Sequence, residues 1–364
     1  MIKRLLLFTF LTLCLTYSSA PAETNQTFST EAVPSLIEAV RIAGPLDFCG
    51  EPVPLDSADV RERLEKEMLL ILWDRPQVIL WLKRSARYFP FIESTLAQNN
   101  MPDDLKYIAV VESSLLPHAG SSQGAVGYWQ FMPQTGRNHG LTVDENIDQR
   151  RNFFASTRAA AAYLQDLHDL FGSWTLAAAA YNMGEDWLKD EKKHQKVDSY
   201  YEFYLPIETQ RYIFKIIAVK LIFSDPARYG FHLRPQDYYA PEVFDRVKIN
   251  LPGQTPLYLA ARASASSFKQ IKDLNPEIRG DYLPKGTIVI AVPKGAGAHF
   301  HERFADLAEQ WRQENRTKIY IVKKGDSLSL IAARFKVPLP ALMAWNNLHP
   351  DRFIHPGEKL VIYQ

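Results

Sequence analysis

Between about residue 58 and residue 231, apolar residues recur three and four positions apart, the spacing of amphipathic helices. "DVRERLEKEMLLILWDRPQVILWLKRSARYFPFIESTLAQN" reads as two or three helices punctuated by Pro76 and Pro90, since proline removes a backbone donor inside a helix. "STRAAAAYLQDLHDLFG" opens on a candidate cap, Ser156, and stops at Gly172. "WTLAAAAYNMG" stops at Gly184, and "IETQRYIFKIIAVKLIFSDPARYG" is the last helix. Beyond residue 235 the pattern changes. A shift of 71 places superposes Leu328, Leu330, Ala332, Leu342, Asn346 and Gly357 on Leu257, Leu259, Ala261, Ile271, Asn275 and Gly286, without gaps. Each copy reads as strand, helix, helix, strand. Two copies are fewer than the roughly three that a solenoid needs. The expected architecture is therefore α+β and multidomain: an all-α domain over 58–235, then two small βααβ modules over 246–293 and 318–364. A Gly-rich and then helical linker, 294–317, joins the modules. Residues 23–57, with one short apolar-periodic segment, read as a loosely structured lead-in.

One position breaks the helical pattern. In "AVVESSLLPHAG", Glu112 lies four residues after Ile108 and seven after Leu105, on a face that is otherwise apolar. Pro102-Asp103-Asp104 marks the start of this helix, and Pro117 disfavours helix at residue 116, so Glu112 falls in the last turn. Apolar surroundings and the negative end of the helix dipole both favour the protonated acid. That suits a general acid. The alternative is a glutamate swung out to solvent or paired with an arginine.

Composition narrows the class. The chain has 364 residues, 46% apolar and 23% charged, and its formal net charge of +1 gives no field for nucleic acid. "MIKRLLLFTFLTLCLTYSSAPAE" has Lys3 and Arg4 before an apolar run and then small residues, which reads as an export signal over 1–22 with a cleavage site at Ala20-Pro21-Ala22. Membrane association stays open through Cys14, which could carry a lipid although Leu13 before it is bulky. With Cys14 cleaved off, Cys49 would stand alone without an intrachain disulfide, as a buried and inert thiol. No cofactor and no metal are expected: His118 and His139 read as loop residues rather than ligands.

The segments "ESSLLPHAGSSQGAVGYWQFMPQTGRNHGL", "STRAAAAYL" and "AAAAYNMG" resemble the soluble-type lytic transglycosylases, and within them the membrane-bound lytic murein transglycosylase D branch. "CGEPVPLDSADVRERLEKEMLLIL" is similar to the lead-in of that branch. The tail "YIVKKGDSLSLIAARFKV" through "IHPGEKLVIY" resembles a LysM module, and the copy before it is a weaker match that lacks the "GDSL" opening. The resemblance implies a lysozyme-like helical fold, cleavage of bacterial peptidoglycan, and modules that bind N-acetylglucosamine-containing glycans. It implies a monomer in the periplasm or cell envelope. Glu112 matches the family's single catalytic acid. Ser121 matches a serine that contacts substrate and helps orient the acid, and Gln130 and Met132 match residues lining the glycan groove. Tyr181 and Asn182 match the "AYN" motif, whose tyrosine hydrogen-bonds near the catalytic carboxylate. Met183 and Glu185 replace smaller residues that are common there. Trp129 is either a support for the acid or core packing.

Ordinary glycosidases use two carboxylates. The next acids, Asp144, Glu145 and Asp148, read as solvated loop or helix-cap residues. The family's reaction needs only one: the acid protonates the oxygen leaving N-acetylmuramic acid C1, then as a base deprotonates the C6 hydroxyl, which closes a 1,6-anhydro ring. The competing expectations are a goose-type lysozyme that uses water, and a non-catalytic wall-binding protein.

Overall fold

The computed structural model of the protein describes residues 34–42, 44–314, 318–349 and 352–363. The export signal, its cleavage site and Cys14 lie outside the described residues. The described residues open with helix α1 (Leu36–Ala39) and a tight antiparallel pair, β1 (Asp47–Phe48) and β2 (Glu51–Pro52). Eight helices follow: α2 (Ala58–Trp73), α3 (Arg75–Gln98), α4 (Lys106–Ser113), α5 (Pro133–Asn138), α6 (Phe153–Phe171), α7 (Trp174–Met183), α8 (Glu185–Gln195) and α9 (Ile207–Ser224).

The centre of this helical layer is α7, whose Ala177 to Ala180 are all fully buried. Small side chains let α6 and α9 approach it closely, and α9 returns Ile213, Phe214, Ile216 and Ile217, also fully buried. Each such aliphatic or aromatic side chain contributes about 1.5–3 kcal/mol by leaving water.

Two local expectations change, those for Pro90 and for the cap of α6, while Pro76 marks a helix boundary as expected. Pro90 does not interrupt α3: it sits on the exposed face while Phe89 and Ile92 hold the opposite face in the core. Packing there outweighs the lost backbone bond. Pro76 falls in the first turn of α3, where no intrahelical donor is needed. The cap of α6 is Asn152, whose side chain accepts from the Ala155 N–H at 2.9 Å, whereas Ser156 is buried inside the helix and donates back to the Asn152 carbonyl.

The lead-in is also tighter than expected from about Leu46 onward. Phe48 is fully buried, and the Glu51 carboxylate accepts from the Trp174 and Thr175 N–H groups at the start of α7. A negative side chain there compensates the positive end of the helix dipole. Cys49, a free thiol, is half-buried, and its N–H donates to Asp104. Burial pushes the thiol pKa far up, so it stays protonated and unreactive.

The first module comprises β3 (Phe244–Leu251), β4 (Thr255–Pro256), α10 (Leu257–Ala263), α11 (Phe268–Leu274), β5 (Tyr282–Leu283) and β6 (Gly286–Pro293), with β3 and β6 antiparallel from Phe244↔Pro293 to Leu251↔Gly286. Helix α12 (Phe300–Glu314) follows, then β7 (Lys318–Ile321), α13 (Leu328–Phe335), α14 (Leu339–Trp345) and β8 (Lys359–Ile362), with β7 and β8 antiparallel. The segment read as a linker does more than connect, because α12 places Phe300, Phe304 and Trp311 in the core of the first module.

The two copies share one polar clamp. Asn275 Nδ2 donates to the carbonyls of Ile271 and Ala291 while its Oδ1 accepts from the Ala291 N–H. Asn346 does the same with Leu342 and Val361. The gapless register therefore fails in its last strand: the clamp partner is 16 residues on in the first copy and 15 in the second. Burial agrees, since Ile290 and Val292 correspond to Leu360 and Ile362. The side-chain period of a strand is two, so a one-residue error would turn every core residue outward.

The first module is fastened to the helical layer. Ile147 bridges Ile278, the Asp148 N–H donates to the Glu277 carbonyl at 2.8 Å, and the Arg279 N–H donates to Asn146. Asn152 Nδ2 donates to Glu277 Oε1 at 2.8 Å. No single helix among the described residues is long and apolar enough to cross a membrane.

Candidate active site

A 3-10 turn over Asp103–Leu105 leads into α4, and Leu105 and Ile108 on the face of Glu112 are fully buried. The helix stops abruptly because Ser114 and Leu115 both take left-handed backbone angles, φ 56° and 59°. Arg84 donates to the freed Ser114 carbonyl at 3.0 Å. Glu112 is thus held in the last turn, half-buried, with its side chain toward α9.

There Tyr212 Oη donates to Glu112 Oε1 at 2.5 Å. Loss of water around the carboxyl raises its pKa to about 7. Tyr212 opposes this by hydrogen-bonding the charged form, the nearby Glu208 carboxylate reinforces it, and Lys215 opposes it. Residues 208, 212 and 215 sit at i, i+4 and i+7, so α9 presents all three to Glu112 along one stripe. Burial, with Glu112 next in weight, pushes the phenols of Tyr212 and Tyr181 well above their usual range, so both remain neutral hydrogen-bond donors.

The floor beside Glu112 is the loop from Gly120 to Met132, fixed from three directions. Ser113 Oγ donates to the Tyr128 carbonyl at 2.7 Å, tying the loop to the end of α4. Tyr181 Oη, from α7, donates to the Trp129 carbonyl at 2.6 Å. Trp129 itself is buried, its indole N–H donating to Thr157 on α6. From the far side, Arg150 reaches under the loop and donates to the carbonyls of Gly124 and Phe131, at 2.9 and 3.0 Å. Its remaining donors form a two-point pair with Asp148, at 2.8 and 2.9 Å. Asp148 caps the short 3-10 turn Gln149–Arg151, accepting from the Arg150 N–H, as one of the two readings from sequence had it, but at 1% exposed it is a buried support and not a solvated residue. Gly127 completes the fit: its φ is +88°, and a Cβ there would lie 1.9 Å from the Arg150 carbonyl oxygen.

The other sequence candidates occupy this frame in different ways. Gln130, at a left-handed φ of 47°, turns its amide onto the loop, with Nε2 donating to the carbonyls of Ala119 and Gly127. Met132 caps α5 and is 42% exposed. Ser121 is exposed, and its hydroxyl accepts from the Ala125 N–H within the loop rather than bonding to Glu112. Asn182 Oδ1 accepts from Thr209 Oγ1 at 2.9 Å, joining α7 to α9. Tyr181 reaches the Trp129 carbonyl, and the phenol that contacts the acid directly is Tyr212. Sequence reasoning missed Tyr212, although Glu208, Tyr212 and Lys215 fall on one stripe of a helix whose other faces are largely apolar beyond residue 212. Among the described residues no cluster of His, Cys, Asp and Glu could hold a metal ion.

Residues 89–203, which contain Glu112, the loop and the "AYN" motif, match the Transglycosylase SLT domain family. Residues 320–362 match the LysM domain family. The chain carries a transglycosylase SLT domain and a LysM domain. Over 293 residues it is homologous to the membrane-bound lytic murein transglycosylase D of Escherichia coli K12, at 32% identity across 77% of this chain and 64% of the relative. The chain thus spans a little under two thirds of the length of that curated relative. A putative tributyltin chloride resistance protein of an Alteromonas species is 33% identical over 110 residues, 29% of this chain and 53% of its own. Among solved structures, the 70 kDa soluble lytic transglycosylase of E. coli aligns at 19% identity and a TM-score of 0.36, covering 50% of this chain and 31% of that one. The SLT domain ends before α9, so Tyr212, Glu208 and Lys215 lie outside the matched span.

Proposed function

We propose that the protein is an exported lytic transglycosylase of the bacterial cell envelope, cleaving the MurNAc-β-1,4-GlcNAc bond of peptidoglycan to leave 1,6-anhydro-MurNAc ends. The observation that carries this reading is the Glu112 carboxyl, half protonated near pH 7 and oriented by Tyr212 above a rigid loop. As an acid, Glu112 gives its proton to the glycosidic oxygen as the bond to C1 breaks. Tyr212 then donates to the carboxylate that is left, stabilising the charge as it forms. As a base, the carboxylate takes the C6 hydroxyl proton and that oxygen closes on C1, restoring the acid. An internal nucleophile has an effective concentration on the order of 10⁵–10⁸ M, so no second carboxylate is required. Ser121, Gln130, Met132, Tyr181 and Asn182 frame the glycan groove, the first three through the loop and the last two through α7. The LysM module, and by extension its weaker copy, holds the strand and raises its local concentration at the groove.

One observation favours a second reading. Glu208 is exposed one helical turn from Tyr212 and close enough to influence Glu112. It could activate water, as the base of a hydrolytic muramidase does. Mass spectrometry of digested sacculi separates the two: anhydro ends support the transglycosylase, and reducing ends alone would establish hydrolysis.

A further test addresses Tyr212. Tyr212→Phe removes a donor that favours the carboxylate, so the Glu112 pKa should rise and the alkaline limb of the kcat–pH profile should move to higher pH. Turnover at the optimum should fall about 10-fold or more, because the developing carboxylate loses its partner. A limb that stays in place or moves to lower pH would remove Tyr212 from this role.

A further inference from the structure

Where α6 meets the first module, a polar crevice of about 170 Å³ opens between the helical layer and the β3–β6 pair. Arg158 of α6 and Arg246 of β3 both line it. Neither guanidinium makes a hydrogen bond or an ion pair with another described residue. The sequence supplies no acid to either. Three and four residues from Arg158 along the helix lie Phe154, Ala155, Ala161 and Ala162. Arg246 sits opposite Ala291, and its neighbours on the same face of the strand are Phe244 and Lys248. Aromatic rings hold the two guanidiniums instead. Arg158 lies 6.0 Å from the centre of the Phe91 ring, and Arg246 lies 5.0 Å from that of Phe154 and 5.8 Å from that of Phe244. These rings pack edge to face, Phe91 on Phe154 at 4.8 Å and Phe154 on Phe244 at 5.7 Å. A ring holds a guanidinium by its face and leaves the N–H edge open. Two positive forks are thus brought to one crevice with their donors unused. Partial burial and then the Arg246 charge push the Arg158 pKa down, the sign of a repulsion that nothing in the chain relieves.

Glu277 lines the same crevice and does not pair with either arginine. Its Oε1 accepts from Asn152, and its Oε2 is buried without a partner. Burial raises the pKa of this carboxyl more than its hydrogen bonds and the Arg246 charge lower it. In its neutral form it is one more donor with nothing to meet. A carboxylate ligand has two oxygens and satisfies one fork. A phosphate has three or four strong acceptors and close to two negative charges, enough for both forks at once. We propose that the crevice binds a phosphate group, free or as a phosphomonoester, between Arg158 and Arg246. The bound group clamps the first module to α6, since one arginine comes from each side of the seam.

Calorimetric titration of the full chain with inorganic phosphate, at constant ionic strength, tests the site. Wild type should bind with a Kd on the order of 1 mM or tighter. Arg158→Gln and Arg246→Gln should each bind about 10-fold more weakly or worse, and Arg158→Lys should fall between, because it keeps the charge and loses the fork. Both side chains are exposed, so the variants should fold. Thermal unfolding checks this and gives a second readout. Without phosphate, Arg158→Gln should melt no lower than wild type, since a repulsion is removed, and saturating phosphate should raise the midpoint of wild type alone. Sedimentation with phosphatidylcholine vesicles, with and without phosphatidic acid, distinguishes the sources of the group. Capture by the phosphatidic acid vesicles that is lost in Arg158→Gln assigns a lipid headgroup, and binding of free phosphate without capture assigns a soluble one. Absence of phosphate binding, acetate bound as tightly as phosphate, or phosphate affinity unchanged in both glutamine variants overturns the proposal.

Discussion

Replacing Glu112 with glutamine is expected to lower turnover of sacculi by about 10³-fold or more, since one group serves as acid and then as base and each role is worth about 10²–10⁴. The fold should be indifferent to the change. Glutamine has the same shape, its Oε1 can accept from Tyr212 as the carboxyl does, and no charge is left unpaired, so stability should stay within about 0.5 kcal/mol. The pH profile of the wild type gives a second readout of the same group. Its pKa is raised to about 7 by loss of water, so the reactive acid is present below pH 7 and is lost as pH rises through it. The alkaline limb of kcat should fall near that value, and the residual activity of Glu112→Gln should show no such limb. Should the variant solubilise sacculi at the wild-type rate, the acid is elsewhere, and Glu208 becomes the residue to test.

The same comparison shows what sequence could and could not reveal. Glu112 was visible because a carboxylate at positions shared with Leu105 and Ile108 violates a helical apolar face, and that violation is local. Its partner was not, since Tyr212 lies 100 residues on and a tyrosine in an amphipathic helix is unremarkable until α9 is packed against α4. Only the companion residues 208 and 215 hinted at a polar stripe. Pro90 misled because its rule is intrinsic to the backbone, while the fate of α3 is set by Phe89 and Ile92 in the core. The internal repeat was legible through its shared Leu, Ala and Asn positions, yet the one-residue slip after Gly286 was not, because only the paired strand fixes which face Ile290 and Val292 occupy. Asp148 read as a solvated loop or helix-cap residue, and nothing in the sequence marked Arg150. Their role arises from two carbonyls, of Gly124 and Phe131, that the fold brings over them.

That support is the basis of the second large effect. Arg150→Met should destabilise the protein by up to about 3–5 kcal/mol, read as a lower urea midpoint, because it leaves the buried Asp148 charge with only the longer contact to Arg151, at 3.6 Å. The Gly124 carbonyl loses its Arg150 donor at the same time and the Phe131 carbonyl keeps only the Val126 N–H, so the loop that carries the Tyr128 and Trp129 carbonyls should loosen against Ser113 and Tyr181. Turnover should then fall about 10²-fold even where the chain remains folded, since an error of about 1 Å in a positioned group has that effect. Arg150→Met/Asp148→Leu separates the two consequences. Removing both charges relieves the buried carboxylate, so much of the stability should return, as it does when a buried ion pair is replaced by apolar groups. The loop carbonyls stay unsupported, so turnover should not return with it. A single variant that loses less than about 1 kcal/mol, or a double variant that regains full turnover, would mean the loop is held without Arg150, by Ser113, Tyr181 and the Gln130 amide. If stability recovers without turnover, Arg150 contributes to the reaction by positioning the loop beside Glu112, over and above its part in holding the fold together.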